Sequence, residues 1–154
     1  MYSASTIAKW FIAWADADED GDGNLTNLKL QKLLYYAQGH SLAQNGEQLF
    51  KDQIQAWKHG PVVKAVYQEW RSEKADELHL ADDDPFEFDE VDTVTTGLLI
   101  DVWNKYGSLA AWKLRDMTHS EPPWRDSHKP DISDIVIPVE AMKTFFERLY
   151  VHDQ

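Results

Sequence analysis

The chain has 154 residues, a net charge of −12 and no cysteine. This length fits one ordinary domain, whose core can be filled by seven Trp, six Tyr and six Phe. The lack of cysteine excludes disulfides, thiolate chemistry and cysteine-based zinc sites. Because no segment resembles a signal peptide or an apolar membrane span, we expect a soluble cytoplasmic protein without a membrane partner.

The negative charge is concentrated in two segments. Residues 16–22 carry five acids and no base, and residues 73–92 carry ten acids and one base. The rest of the chain is close to neutral. An acidic surface repels phosphate backbones, so we expect no direct nucleic-acid binding, and a basic protein is the complementary partner. Acidic loops also keep proteins soluble without binding anything, and this alternative stays open.

Residues 26–45 are predicted to form a helix at the centre of the fold. Thr26 is a suitable N-cap, and the Asn45-Gly46 pair suits the left-handed turn that closes a helix. Apolar side chains lie on two nearly opposite faces: Leu30, Leu33, Leu34 and Ala37 on one, and Leu28, Tyr35 and Leu42 on the other. Such a helix must be covered on most sides. We therefore expect residues 1–154 to form one mainly α domain around it.

Amphipathic patterns predict the neighbours of this central helix. Apolar residues at helical spacing indicate helices over residues 5–15, 91–106 and 138–149. Pro61 suits the first position of another helix, because a proline there gives up no intrahelical hydrogen bond. The passage before Gly60 is expected to be irregular or briefly helical.

A further short helix is predicted after Gly107. Ser108 is its candidate cap, and Ala110, Leu114 and Met117 are expected to face inward. Residues 135–137, Ile-Val-Ile, predict a brief extended piece that would supply one short β element.

Residues 73–90 are predicted to form a long surface loop. The segment has weak periodicity, many charges and a proline at Pro85. Phe86 and Phe88 alternate with acids, so they either form a short strand or pin the loop to the body of the domain.

Residues 18–26 resemble the first half of a calcium-binding loop. Acids occupy positions one, three and five, and glycine occupies position six. Position twelve requires a bidentate Glu but is Lys29, which places a positive charge where the cation needs oxygens. We interpret this segment as an acidic turn.

Motifs for catalysis are missing from the sequence. His119 and Glu121 have the spacing of a zinc deaminase motif but lack its cysteines, and no phosphate loop occurs. Carboxylates crowd the charged loops rather than apolar segments, where burial could raise a pKa for acid–base catalysis. We therefore predict no enzyme, no catalytic residue, no metal and no cofactor. The alternative is a small hydrolase or nucleotide-processing enzyme with a site near His59 or His119.

Two polar-aromatic corners are candidate binding surfaces. One contains Trp57, His59, Gly60 and Pro61, and the other ends at Trp124. Such side chains often only cap a core or satisfy a helix end, and this alternative is kept for each of them. If the two corners lie together, their exposed aromatic side chains could anchor a partner.

Four motifs together resemble the SocA-like family of Panacea-domain antitoxins. In chain order they are residues 28–37 (LKLQKLLYYA), Leu49-Phe50, residues 56–63 (AWKHGPVV) and residues 118–124 (THSEPPW). The resemblance covers nearly the whole chain and implies the mainly helical antitoxin of a bacterial or prophage toxin–antitoxin pair. It also implies that similar domains accompany very different toxins. Most members are expected to neutralise by direct contact, and one branch delivers its toxin to a protease as a proteolytic adaptor.

We therefore expect this chain to bind a cognate protein toxin. An acidic loop can compete for the basic clefts with which many toxins hold phosphate-bearing targets. The candidate toxin-binding residues come from the loop and the two corners: Asp82, Asp83, Asp84, Phe86, Phe88, Trp57, His59, Gly60, Pro61 and Trp124. The adaptor alternative would add a protease as a partner. A transcription regulator is disfavoured by the charge.

Overall fold

Helix α2 (Asn27–Asn45) runs through the centre of the protein. The computed structural model describes residues 1–18, 25–71 and 77–152. The Thr26 side chain accepts the backbone N–H of Lys29, and Gly46 closes the helix in the left-handed conformation with φ of 71°. Every residue from Lys29 to Leu42 is buried. The predicted central helix, with both of its caps, is confirmed.

The other helices make the protein mainly α, as predicted. They are α1 (Ala4–Ala17), α3 (Lys64–Glu69), α4 (Thr93–Tyr106), α5 (Ala111–Ser120), α6 (Pro122–Arg125) and α7 (Val139–His152). Helices α1, α3, α4, α5 and α7 all contact α2. Helix α7 approaches α2 closely at Gly39, where the ring of Phe146 occupies the space that a side chain would fill. Among the described residues, no helix is long and apolar enough to cross a bilayer.

Polar side chains on α2 are buried because they bond the backbone of neighbouring segments. The Gln38 side-chain oxygen accepts the N–H groups of Leu49 and Phe50, and its amide donates to the Phe50 carbonyl. The Gln31 side-chain oxygen accepts the N–H of Val63. These contacts fix the chain to α2 at residues 49–50 and at Val63. Between them the passage is irregular, as expected, until Gln55–Trp57, which form a strand and for which the expectation of irregular or helical structure is wrong.

A small antiparallel sheet covers one side of α2. It contains β1 (Gln55–Trp57), β2 (Gly60–Val62) and β3 (Ile135–Val136) in the order β2-β1-β3. The predicted extended piece is therefore β3, but the sheet has two further strands. Pro61 lies in β2 and does not begin a helix. The side-chain nitrogen of Lys32 donates to the Pro61 carbonyl and links this strand to α2. Helix α3 begins only at Lys64.

The start of α5 also differs from the prediction. Ala110 takes the cap position without a side-chain hydrogen bond, and it is exposed. Ser108 lies instead in a turn in which the Leu109 N–H donates to the Tyr106 carbonyl. Leu114 is fully buried and Met117 is partly buried, as expected.

Candidate functional site

The predicted site residues fall into two groups. Asp82, Asp83, Asp84, Phe86 and Phe88 belong to a loop that packs on α1. The other group surrounds the junction of α5 and α6 and consists of Trp57, His59, Gly60, Pro61 and Trp124.

Aromatic contacts pin the acidic loop to α1. The Phe88 ring meets the rings of Trp10 and Trp14 edge to face, with centroid distances of 6.3 and 6.0 Å. Phe86 packs in turn on Phe88 at 5.8 Å. A short 3₁₀ helix (Phe88–Glu90) forms at this point rather than a strand. Two alternatives were predicted for these phenylalanines, and the second is confirmed: they attach the loop to the body of the domain.

Asp84 has a structural role within the loop. Its carboxylate lies 3.1 Å from the ammonium group of Lys9 on α1, and it accepts the backbone N–H of Phe86 at 2.9 Å. The hydrogen bond from Phe86, together with Lys9, lowers the pKa of Asp84. Asp82 and Asp83 are exposed to solvent. These two acids are therefore available at the surface, whereas Asp84 is engaged within the chain.

The loop presents a surface that we call the acidic face. It consists of the partly exposed ring of Phe88 and the exposed acids of the same segment: Glu77, Asp82, Asp83, Glu87, Asp89 and Glu90. The Leu78 N–H donates to the Leu25 carbonyl at 2.7 Å and fixes one end of the segment. At the other end, the Asp92 carboxylate caps α4 and accepts the hydroxyl of Tyr2. The acidic face is thus held at both ends.

The two polar-aromatic corners lie together in the structure. The Trp124 indole N–H donates to the Trp57 carbonyl at 2.7 Å. The Trp124 ring is stacked between His119, at 3.9 Å and 7°, and His128, at 4.5 Å and 14°. The sequence patterns left it open whether the two corners lie together, and the structure places them in direct contact.

Only part of the first corner reaches solvent. Gly60 and Pro61 are buried, whereas His59 is exposed and Trp57 is partly exposed. Gly60 has φ of 116°, and a Cβ there would lie 2.7 Å from Cε of Lys32. Gly60 and Pro61 therefore form the buried part of the hairpin of β1 and β2. Trp57 and His59 are the residues of this corner that reach solvent.

Lys32 is a residue whose burial was not anticipated. It is fully buried, and its ammonium group donates to the Pro61 carbonyl at 3.0 Å. Desolvation lowers the pKa of Lys32 to about 7. The sequence carried a signal, because this lysine lies between two apolar faces of a helix that must be covered on most sides.

Glu121 contradicts the expectation that the carboxylates lie only in charged loops, where burial cannot raise their pKa. Its two carboxylate oxygens accept the hydroxyls of Tyr35 and Tyr36 at 2.9 and 3.0 Å. Burial raises the pKa of Glu121 to about 7, although the two hydrogen bonds act in the opposite direction. A carboxylate with a raised pKa is thus present, but it is bonded to tyrosines of α2, while His119 stacks on Trp124.

Across residues 1–18, 25–71 and 77–152, no group of three or more His, Asp or Glu side chains is arranged to hold a metal ion. Residues 19–24, which form most of the calcium-loop resemblance, lie outside the described residues.

Comparison with known protein families shows to which family this chain belongs. The profile of the family described as "Antitoxin SocA-like, Panacea domain" matches residues 30–125, which is more than half of the chain. The chain belongs to the SocA-like Panacea-domain family. The matched region of this Panacea domain runs from the central helix through the acidic loop to Trp124, and membership supports an antitoxin role.

One relative matches a short part of the chain. Antitoxin SocA of Caulobacter vibrioides (strain NA1000 / CB15N) is 49% identical over 43 residues, which cover 28% of this chain and 23% of that protein. The match therefore spans less than a quarter of the relative's length. No solved structure matches the chain.

Proposed function

We propose that this Panacea-domain chain is an antitoxin that neutralises a cognate protein toxin by binding it directly through the acidic face. The observation that carries the proposal is the construction of that face. Six exposed acids and the partly exposed ring of Phe88 belong to one loop, which is attached to α1 by aromatic contacts and by the Lys9–Asp84 ion pair.

Attachment of the loop favours tight binding. A segment that must order on contact loses conformational entropy, and a segment already held in place avoids much of this cost. The partly exposed ring of Phe88 adds an apolar anchor on the same loop as the charges. The acidic face therefore combines long-range attraction for a basic surface with a fixed point of apolar contact.

The charge of the face indicates the kind of toxin surface that it would occupy. Proteins that act on nucleotides or nucleic acids hold phosphate groups with clusters of basic side chains. An array of carboxylates can compete for such a cluster and block access to it. We propose occlusion of a basic substrate cleft as the mechanism of neutralisation.

The partner can be identified by purifying the tagged chain at low salt from the cell in which it occurs. The expected result is one basic protein in fixed stoichiometry that arrests growth when it is expressed alone. Recovery of the chain alone at low salt would contradict direct occlusion.

Charge reversal then tests the acidic face. In Asp82→Lys/Asp83→Lys both substitutions are at exposed positions, and Asp84 is left intact because it supports the loop. We expect the toxin Kd to rise about tenfold or more at low salt, with a shallower dependence on salt. The matched control is Glu140→Lys/Glu147→Lys, which makes the same change in net charge at exposed positions on α7. Equal effects of the two double variants would show that only total charge matters.

Two other mechanisms give different outcomes in the same system. If the chain is a proteolytic adaptor, toxin should accumulate in cells that lack the protease. If it is an enzyme that repairs toxin damage, rescue should need far less than one molecule per toxin. Direct occlusion predicts rescue that is independent of a protease and that requires stoichiometric amounts.

A further inference from the structure

Three contacts join the hairpin of β1 and β2, the junction of α5 and α6, and the central helix α2 in a closed ring. The side-chain nitrogen of Lys32 on α2 donates to the Pro61 carbonyl of the hairpin at 3.0 Å. The Trp57 carbonyl of the hairpin accepts the Trp124 indole N–H of α6 at 2.7 Å. Glu121, between α5 and α6, completes the ring by accepting two tyrosine hydroxyls of α2. We call this ring the hairpin latch.

Lys32 has no counter-ion in the hairpin latch. Its side chain is fully buried, and no carboxylate in the described part of the chain forms an ion pair with it. An ammonium group has three N–H donors, and a buried charge without an opposite charge is costly. Burial accordingly lowers the pKa of Lys32 to about 7. Closing the latch therefore favours the loss of a proton from Lys32.

Glu121 lacks an opposite charge in the same way. Within residues 1–18, 25–71 and 77–152, no basic side chain forms an ion pair with its carboxylate. Its hydrogen-bond partners are the hydroxyls of Tyr35 and Tyr36, at 2.9 and 3.0 Å. Burial raises the pKa of Glu121 to about 7, against the effect of these two hydrogen bonds. Closing the latch therefore favours the uptake of a proton by Glu121.

The neighbouring titratable groups do not supply the missing charges. Desolvation, followed by Arg115 and Lys32, lowers the pKa of His119 on α5, so its imidazole is neutral at pH 7. Burial raises the pKa of both tyrosines that bond Glu121, so they stay neutral hydroxyls. Helix α7 presents the apolar ring of Phe146 to these tyrosines. The remaining titratable groups around His119 and the tyrosines are Asp116, His128 and Tyr106.

We propose that the hairpin latch is a proton-controlled device that opens most readily near neutral pH and releases the hairpin while α4 and α7 stay packed on α2. Opening exposes Lys32 and Glu121 to water. Above about pH 7, opening requires Lys32 to take up a proton, so the ratio of open to closed latch falls toward about pH 10. Below about pH 7, opening requires Glu121 to lose a proton, so the ratio falls toward about pH 4.5. This inference does not depend on the proposed antitoxin function.

The test is native-state hydrogen exchange of the full chain, followed by NMR. The reporters are the Trp124 indole N–H and the backbone N–H of Val63, which donates to the Gln31 side chain at 2.9 Å. Their opening constants should be largest near pH 7, fall about tenfold or more by about pH 5 and about pH 9, and not respond to low urea. The matched reporter is the Leu49 N–H, which donates to the Gln38 side chain at 2.7 Å outside the latch. At pH 7 its opening constant should be about tenfold smaller or less.

Two variants assign the two sides of this pH profile. Lys32→Met should remove the decrease above pH 7, and Glu121→Gln should remove the decrease below it, whereas Lys58→Met, at an exposed lysine, should keep both. The proposal is overturned if the wild-type reporters show no maximum, if they open only with urea-sensitive global unfolding, or if both decreases persist in both variants. Because the wild-type profile needs no substitution, it remains decisive even where a variant does not fold.

Discussion

At the scale of single residues, the fully buried Lys32 and the partly buried Glu121 have pKa values moved toward neutrality from opposite sides. The pKa of Lys32 falls to about 7 and that of Glu121 rises to about 7, in each case mainly because burial disfavours the charged form. Between about pH 7 and about pH 10 the unfolded chain holds a proton on Lys32 that the folded chain lacks, so stability rises with pH. Between about pH 4.5 and about pH 7 the folded chain holds an extra proton on Glu121, so stability falls with pH.

Lys32 gives a prediction for the upper part of this range. The free energy of unfolding of wild type, relative to that of Lys32→Met, should rise by up to about 1.4 kcal/mol per pH unit between about pH 7 and about pH 10. Loss of the hydrogen bond to Pro61 adds a constant offset that does not depend on pH. Urea unfolding at constant ionic strength measures the slope, and Lys58→Met is the control at an exposed lysine. A flat difference for Lys32→Met would show that the amine stays protonated in the fold.

Glu121 gives the mirror-image prediction. Relative to Glu121→Gln, which keeps the size of the side chain, wild type should lose up to about 1.4 kcal/mol of stability per pH unit between about pH 4.5 and about pH 7. The same urea series checks this. A difference that stays flat over that range would mean that the tyrosine hydroxyls stabilise the carboxylate at least as much as burial disfavours it.

Gly60 is constrained by both its backbone conformation and its neighbours. Gly60→Ala would force a left-handed φ on alanine and place Cβ against Lys32 and Thr118. We expect a loss of about 1–3 kcal/mol or more in the free energy of unfolding. Gly97→Ala is the matched control, because Gly97 lies on α4 with open space at its Cβ position and should gain about 0.5–1 kcal/mol. Similar changes in the free energy of unfolding for Gly60→Ala and Gly97→Ala would contradict the described conformation of the hairpin.

At the scale of elements, the contact of α2 with α7 depends on a missing side chain. A Cβ at Gly39 would lie 2.1 Å from the Phe146 ring, so Gly39→Ala should cost about 3 kcal/mol through overpacking. Phe146→Ala should cost about 3–5 kcal/mol by opening a cavity. In the double variant the new methyl group enters that cavity, so the combined loss should be smaller than the sum of the single losses. Additive losses in a urea double-mutant cycle would contradict the described crossing.

The elements that sequence patterns could predict are those with strong local signals. Helix α2 has its own caps and two apolar faces, and helix α7 has a clear amphipathic pattern, so both were predicted. The hairpin at Pro61 was missed because its strands have only three residues each and are held by Gln31 and Lys32 of α2. A local pattern cannot report contacts made some thirty residues away along the chain.

At the scale of the whole molecule, the two parts of the candidate surface differ in how far sequence could predict them. The acidic face was visible as a concentration of charge, and its attachment was suggested by Phe86 and Phe88. The adjacency of Trp57 and Trp124 required the fold. The left-handed turn at Asp134 could not be predicted either, because no motif in the sequence marks it.

The measurement that tests direct neutralisation most sharply is titration of the purified toxin with this chain, read by toxin activity and by the mass of the complex. We predict that activity disappears at a fixed molar ratio, that a complex of the same ratio is isolated at low salt, and that released toxin regains activity. Loss of toxicity at far below one molecule per toxin, or full toxin activity within the isolated complex, would contradict the account.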